Sequence, residues 1–145
     1  MQGVSWSPDG ARIALTINAY PTRRTCVISV AVGSVTCLAS LDAVLSADQT
    51  AWTDAQHIFL CLVEKNASRL VAVDAASGAI TELLSDGLRS VSGVSPDGRY
   101  VAFVPDKNSS RTFGRIYLLD LRTRNVIGPY GDEGVAAYDP TWSLH

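Results

Sequence analysis

Histidine is nearly missing from this chain, with two in 145 residues, His57 and His145. Neither has a partner at a spacing that implies a metal site or a catalytic triad. His57 opens a predicted strand and reads as structural or surface. A nucleophile elbow is also lacking, because Gly93-Val94-Ser95-Pro96-Asp97 has Asp where Gly-x-Ser-x-Gly needs its last glycine. No glycine-rich phosphate loop of the P-loop or dinucleotide type occurs. The expectation is a noncatalytic chain that holds neither metal nor cofactor.

Cysteine is scarce and odd in number: Cys26, Cys37 and Cys61, with no CxxC or Cys/His metal spacing. Cys26 and Cys37 fall on the two arms of one predicted hairpin, but a residue count puts them off register. They read as small, semi-buried apolar side chains, and the sequence leaves their disulfide state open. An excess of either charge is missing too. Twelve basic and fourteen acidic residues give a net charge of −2, which supplies no field for nucleic acid or an anionic membrane.

No segment reaches the 18 or so continuous apolar residues of a membrane span, so no membrane insertion is expected. The opening residues, Met1 to Trp6, carry neither the basic nor the apolar region of a secretory signal. The compartment stays unassigned. What is present is a globular composition, 47% apolar and 18% charged, in a length that matches roughly one domain with a sizeable core.

The informative feature is repetition. Trp6-Ser7-Pro8-Asp9-Gly10-Ala11-Arg12-Ile13-Ala14-Leu15 aligns with Val94-Ser95-Pro96-Asp97-Gly98-Arg99-Tyr100-Val101-Ala102-Phe103 at an offset of 88 residues, two periods of 44. A weaker copy, Trp52-Thr53-Asp54-Ala55 before His57-Ile58-Phe59-Leu60, lies midway with one residue deleted. A fourth begins at Tyr138-Asp139-Pro140-Thr141-Trp142-Ser143 and stops. The second half of the unit repeats as well: Cys26 to Val30, Leu70 to Asp74 and Ile116 to Asp120 each precede a short turn, at Ala31 to Ser34, Ala75 to Gly78 and Leu121 to Arg124. Gly33 and Gly78 match at an offset of 45.

Ser-Pro-Asp-Gly is turn chemistry: Pro fixes φ, Asp bonds nearby amides, and Gly accepts positive φ. The runs after it, Arg12 to Ile17 and Arg99 to Val104, are short and rich in β-branched or aromatic residues, as strands are. Helical periodicity is nearly absent; its best candidate is Leu41 to Asp48. The class is all-β, with four strands per unit. A period of 40 to 50 residues signals stacked units that share a core. Packing positions are those that recur: Trp6, Trp52 and Trp142; Ile13, Ile58 and Val101; Leu15, Leu60 and Phe103; Ile28, Val73 and Leu119. Asp9, Asp54 and Asp97 recur once per unit and read as turn-capping side chains rather than cation ligands.

These motifs resemble the TolB-like, or PD40 (WD40-like), β-propellers, whose repeats contain Trp-Ser-Pro-Asp-Gly followed by an Ile-Ala-Phe-like strand. Trp6 to Gly10 with Ile13 to Leu15 fits closely, and Ser95 to Gly98 with Val101 to Phe103 fits with Val94 for Trp. The second unit has lost Pro and Gly. The resemblance implies a β-propeller of four-stranded antiparallel blades: blade one over 3–40, blade two over 49–84, blade three over 88–129, and an extra inner strand over 137–143. It also suggests a periplasmic or extracytoplasmic setting.

Rings of this family usually have about six blades, which at this period need roughly 250 to 270 residues. Three blades leave apolar flanks to cover. The expectation is a binding or assembly module closed by a second copy, as a homodimer, or by a complementary half-ring. The alternative is a propeller piece of a larger protein, such as a prolyl-oligopeptidase-type serine peptidase or a membrane-anchored sensor. Two loops are expected to meet a protein partner, because they mix arginine with aromatics: Tyr20, Arg23 and Arg24 in the first, and Lys107, Arg111, Phe113 and Arg115 in the second.

Overall fold

The computed structural model describes residues 3–19, 22–38, 46–63, 68–85, 87–107, 109–132, 137 and 140–143. Among these residues twelve strands form three antiparallel sheets of four, each from one stretch of the sequence. Blade one holds β1 (Val4–Trp6), β2 (Arg12–Ala19), β3 (Thr22–Ser29) and β4 (Val35–Cys37). Blade two holds β5 (Ser46–Trp52), β6 (His57–Val63), β7 (Ser68–Asp74) and β8 (Ile80–Leu84). Blade three holds β9 (Leu88–Val94), β10 (Tyr100–Pro105), β11 (Ile116–Asp120) and β12 (Val126–Tyr130). Within every blade the strand order is the chain order, and β5 lies beside β1 and β2 on one side and β9 on the other. This is a partial propeller.

The turns explain why the strands break where they do. Ser7 Oγ donates to Asp9 Oδ1 at 2.6 Å and accepts from the Arg12 amide at 2.9 Å, while the Ala11 amide donates to Asp9 at 3.0 Å. Blade three repeats this with Ser95, Asp97, Tyr100 and Arg99. Gly98 sits at φ 73°, and a Cβ there would lie 3.1 Å from Thr53 O of blade two. Both the turn and the blade spacing therefore require glycine at this position. Blade two has lost Pro and Gly, yet its turn survives because Asp54 alone accepts from the Gln56 and His57 amides, at 2.6 and 2.8 Å.

Capping by aspartate recurs at the second hairpin. Asp74 accepts from Ser77 and Ala76, and Asp120 from Arg122 and Thr123. Each of these five carboxyls is held below its usual range. The leading cause is the Ser7 hydroxyl for Asp9, the Ser95 hydroxyl for Asp97, the Ser77 amide for Asp74 and the Thr123 amide for Asp120. Burial pushes Asp54 up, but the Gln56 and His57 hydrogen bonds outweigh it. A carboxyl depressed on folding adds stability above its unfolded value of about 3.9 and loses it as pH falls through the folded value. The melting temperature is expected to stay level from pH 8 to 6 and to fall steeply below about pH 4. A level melting profile down to pH 3 would contradict this.

The core is two inter-blade layers split by the faces of β6. Ile58, Leu60 and Leu62 join Trp52, Val71 and Val73 against Ala14, Val27 and Leu38 of blade one. Phe59 and Cys61, with Leu70, pack on Val101, Phe103, Tyr117 and Leu119 of blade three. Both sets from β6 are buried, so this strand is apolar at consecutive positions. Phe103 and Tyr117 stack with centroids 5.8 Å apart.

Two expectations are corrected here, that for the cysteines and that for the extra strand. Cys26 and Cys37 are direct cross-strand partners joined by a disulfide. A hairpin centred on Ala31–Ser34 puts residue 39 opposite Cys26, whereas the real one closes a step earlier, with Ser29 N–H donating to Ser34 O at 2.9 Å. Of the helical candidate Leu41 to Asp48, residues 41–45 lie outside the described residues, and Ser46–Asp48 belong to β5. The extra strand over 137–143 is not a strand at its described positions, Ala137 and residues 140–143. A strand needs a ladder partner, and none of the described residues pairs with it.

Candidate functional site

A tryptophan joins blade two to blade one. Trp52, at the end of β5, is buried, and its Nε1 donates to Ser5 O in β1 at 3.0 Å. Arg12 of blade one clamps the indole from outside, with Cζ 4.8 Å from the ring centroid, and its guanidinium donates to Ala55 O. Deeper in the seam, Thr16 and Thr50 share a hydrogen bond at 2.9 Å. Trp142 repeats the move on blade three: its Nε1 lies 2.7 Å from Gly93 O and 3.1 Å from Ser92 Oγ. Ser5 and Gly93 are equivalent, each directly before the motif's first residue.

Trp6 breaks the series. The sequence places it in a packing layer with Trp52 and Trp142, but it is 58% exposed. The reason is that no blade of the described residues stands on that side of blade one. Direct partners in an antiparallel ladder share a face, so the register puts Val4, Trp6, Ile13, Leu15, Ile28 and Val35 on one face. The opposite face carries Ala14 and Val27, both buried against blade two. Ile58, Leu60, Val101 and Phe103 are fully covered, while their counterparts Ile13 and Leu15 are only half-buried. Blade one therefore presents an apolar face with a tryptophan at its inner edge.

At the other end the flank of blade three is better covered. Ala102 and Val104 on its far side are buried, the Ala137 amide donates to Gly114 O at 2.7 Å, and Trp142 takes the Gly93 acceptor. Ser92 organises this end by accepting from Ala102 N at 2.9 Å and donating to Gly93 O at 2.7 Å. Sequence reading missed Ser92 and Arg12; Arg12 aligns with Tyr100 in the third unit, so recurrence gave no signal for it, while Arg99, one position earlier, lies over Tyr100 and pairs with Asp120.

The expected partner loops differ from each other. The first is no long loop: β2 and β3 run to Ala19 and from Thr22, with Asn18 opposite Arg23. Tyr20 lies outside the described residues, as does the side chain of Arg23, and Arg24 is exposed. In the second loop Lys107 is exposed. Arg111 packs over the Phe103 and Tyr117 rings, and Phe113 lies under Arg89. Arg115 donates to the Tyr130 and Gly131 carbonyls. These three side chains brace blade three internally. His57 uses Nδ1 on Asp54, 2.9 Å away. No cluster of three or more metal-ligating side chains exists among the described residues.

No protein-family model and no curated protein matches the chain. Solved structures do. TolB from Acinetobacter baumannii matches at 16% identity and TM-score 0.66 over 86% of this chain and 30% of its own. A putative TolB from Agrobacterium tumefaciens matches at 18% and 0.67, over 99% and 55%. A puromycin hydrolase matches at 18% and 0.67, over 97% and 23%. The chain has the fold of part of a TolB-like β-propeller, and spans between 23% and 55% of those chains.

Proposed function

We propose that this chain is a noncatalytic assembly module whose open blade faces are covered by further blades of the same kind, supplied first of all by a second copy. The observation that carries the reading is the inequality of the tryptophans: Trp52 and Trp142 each hold a carbonyl of the preceding blade, and Trp6 is exposed. Three blades from each of two copies make six, and a two-fold pair is the commonest closed oligomer. Closure puts Trp6 of one copy at Gly93 O of the other, the acceptor that Trp142 holds in the single chain. The two tryptophans compete for it.

Light scattering after size exclusion tests this. The expected mass is twice 15.5 kDa. Trp6→Ala is expected to shift the protein to single chains, and Trp142→Ala to tighten the pair by freeing Gly93. A wild-type mass of 15.5 kDa at high concentration, or indifference to Trp6→Ala, would sink the two-copy reading. A second reading is favoured by the partial coverage of the solved structures. In it the covering blades belong to the same, longer polypeptide, as in a peptidase or sensor, and the isolated chain stays single.

A further inference from the structure

Blades two and three part on the side of the β5–β6, β9–β10 and β11–β12 turns, leaving a cleft of about 380 Å³. Its apolar wall is Ala72, Leu83 and Leu121, and its polar groups include Thr53, Asp54, His57, Thr81, Arg122 and Arg124. It lies away from both open blade faces.

The two arginines set its character. Arg12, Arg99 and Arg115 are all bonded within the chain, but the guanidiniums of Arg122 and Arg124 have no hydrogen bond or ion pair among the described residues. Arg124 also occupies left-handed backbone, φ 61°, where blades one and two place Gly33 and Gly78 at 66° and 72°. An L-residue is disfavoured there. Blade three thus holds a cation at a strained position on the rim of the cleft. Asp54 is the one carboxylate in the lining, and it is paired with His57. Two unpaired cations against one paired carboxylate favour an anion, and guanidinium matches carboxylate in a two-point geometry. The leucine wall suits an aliphatic body.

We propose that this cleft binds a monoanionic carboxylate with an aliphatic side group, whether a free organic acid or the C-terminal residue of a peptide. The test is an amide-resolved NMR titration with four probes: N-acetyl-leucine, N-acetyl-leucinamide, a pentapeptide ending in leucine with a free carboxylate, and its amidated form. Both carboxylates are expected to move the amides of Thr53, Gly98, Arg122 and Arg124, and both amides to leave them in place. The Arg122→Gln/Arg124→Gln double variant is expected to weaken carboxylate binding about tenfold or more, one guanidinium–carboxylate pair. Arg124→Gly removes one cation while giving the turn the residue used in the other blades, so weaker binding with an undiminished melting temperature separates recognition from folding. Either result among the acids supports the site: equal affinity assigns the free acid, and a much tighter peptide assigns the chain terminus. Amides binding as well as acids, no shifts at these residues, or full affinity in the double variant would overturn it.

Discussion

Trp52→Ala is expected to cost about 3–5 kcal/mol, the range for truncating a large buried aromatic, and to loosen blade one from blade two. The indole fills the first inter-blade layer, holds Ser5 O, and gives Arg12 its cation–π partner. Truncation opens a cavity between sheets that have no chain link across it except at their ends, so the layer collapses only in part. Trp52→Phe keeps most of the apolar contact but leaves Ser5 O without its donor, and is expected to cost about 1–2 kcal/mol. The control is Trp6→Ala, measured where single chains prevail. The same residue type at the same repeat position is expected to change stability by about 0.5 kcal/mol or less, as at other exposed sites. Urea unfolding curves check all three. Equal losses for Trp6→Ala and Trp52→Ala would mean that the first blade's outer face is covered in the single chain.

That contrast marks where sequence reading stops. The Ser-Pro-Asp-Gly turns were readable because their chemistry is local: Ser7, Asp9 and Gly10 satisfy one another within a few residues, and Ser95 to Gly98 do the same. The all-β class and four strands per blade followed from periodicity and recurrence. Exposure of Trp6 was not readable, since its motif equals that of a buried tryptophan and only the absence of a neighbouring blade distinguishes them. β5 carries a register irregularity between Asp48 and Ala51, which the sequence pattern did not show. The Cys26 register turned on one step of hairpin closure. Arg122 and Arg124 stand out in the sequence only as part of the Leu121 to Arg124 turn, and only the cleft gives them a shared place. The loop residues Arg111, Phe113 and Arg115 were picked out by composition alone, and each also touches its own blade, with Phe113 still 46% exposed.

Reducing the Cys26–Cys37 bridge is expected to cost about 2–3 kcal/mol, from the loop entropy released to the unfolded chain, for a sequence separation of 11. At this chain length that is a fall of roughly 5–10 °C in melting temperature. The location of the loss is the sharper expectation. β4 is three residues long and exposed throughout, so its attachment to β3 rests on a short ladder and the bridge, with no apolar layer behind it. Hydrogen exchange after reduction is expected to show early loss of protection at Val35–Cys37, while β6 and β10 keep theirs because both of their faces remain packed. Thiol counting fixes the starting state: one reactive group, Cys61, in unfolded unreduced protein, and three after reduction. Three thiols before reduction would remove the bridge from the account. A uniform loss of protection across all blades would instead show that blade one stabilises the whole arc through its seam with blade two.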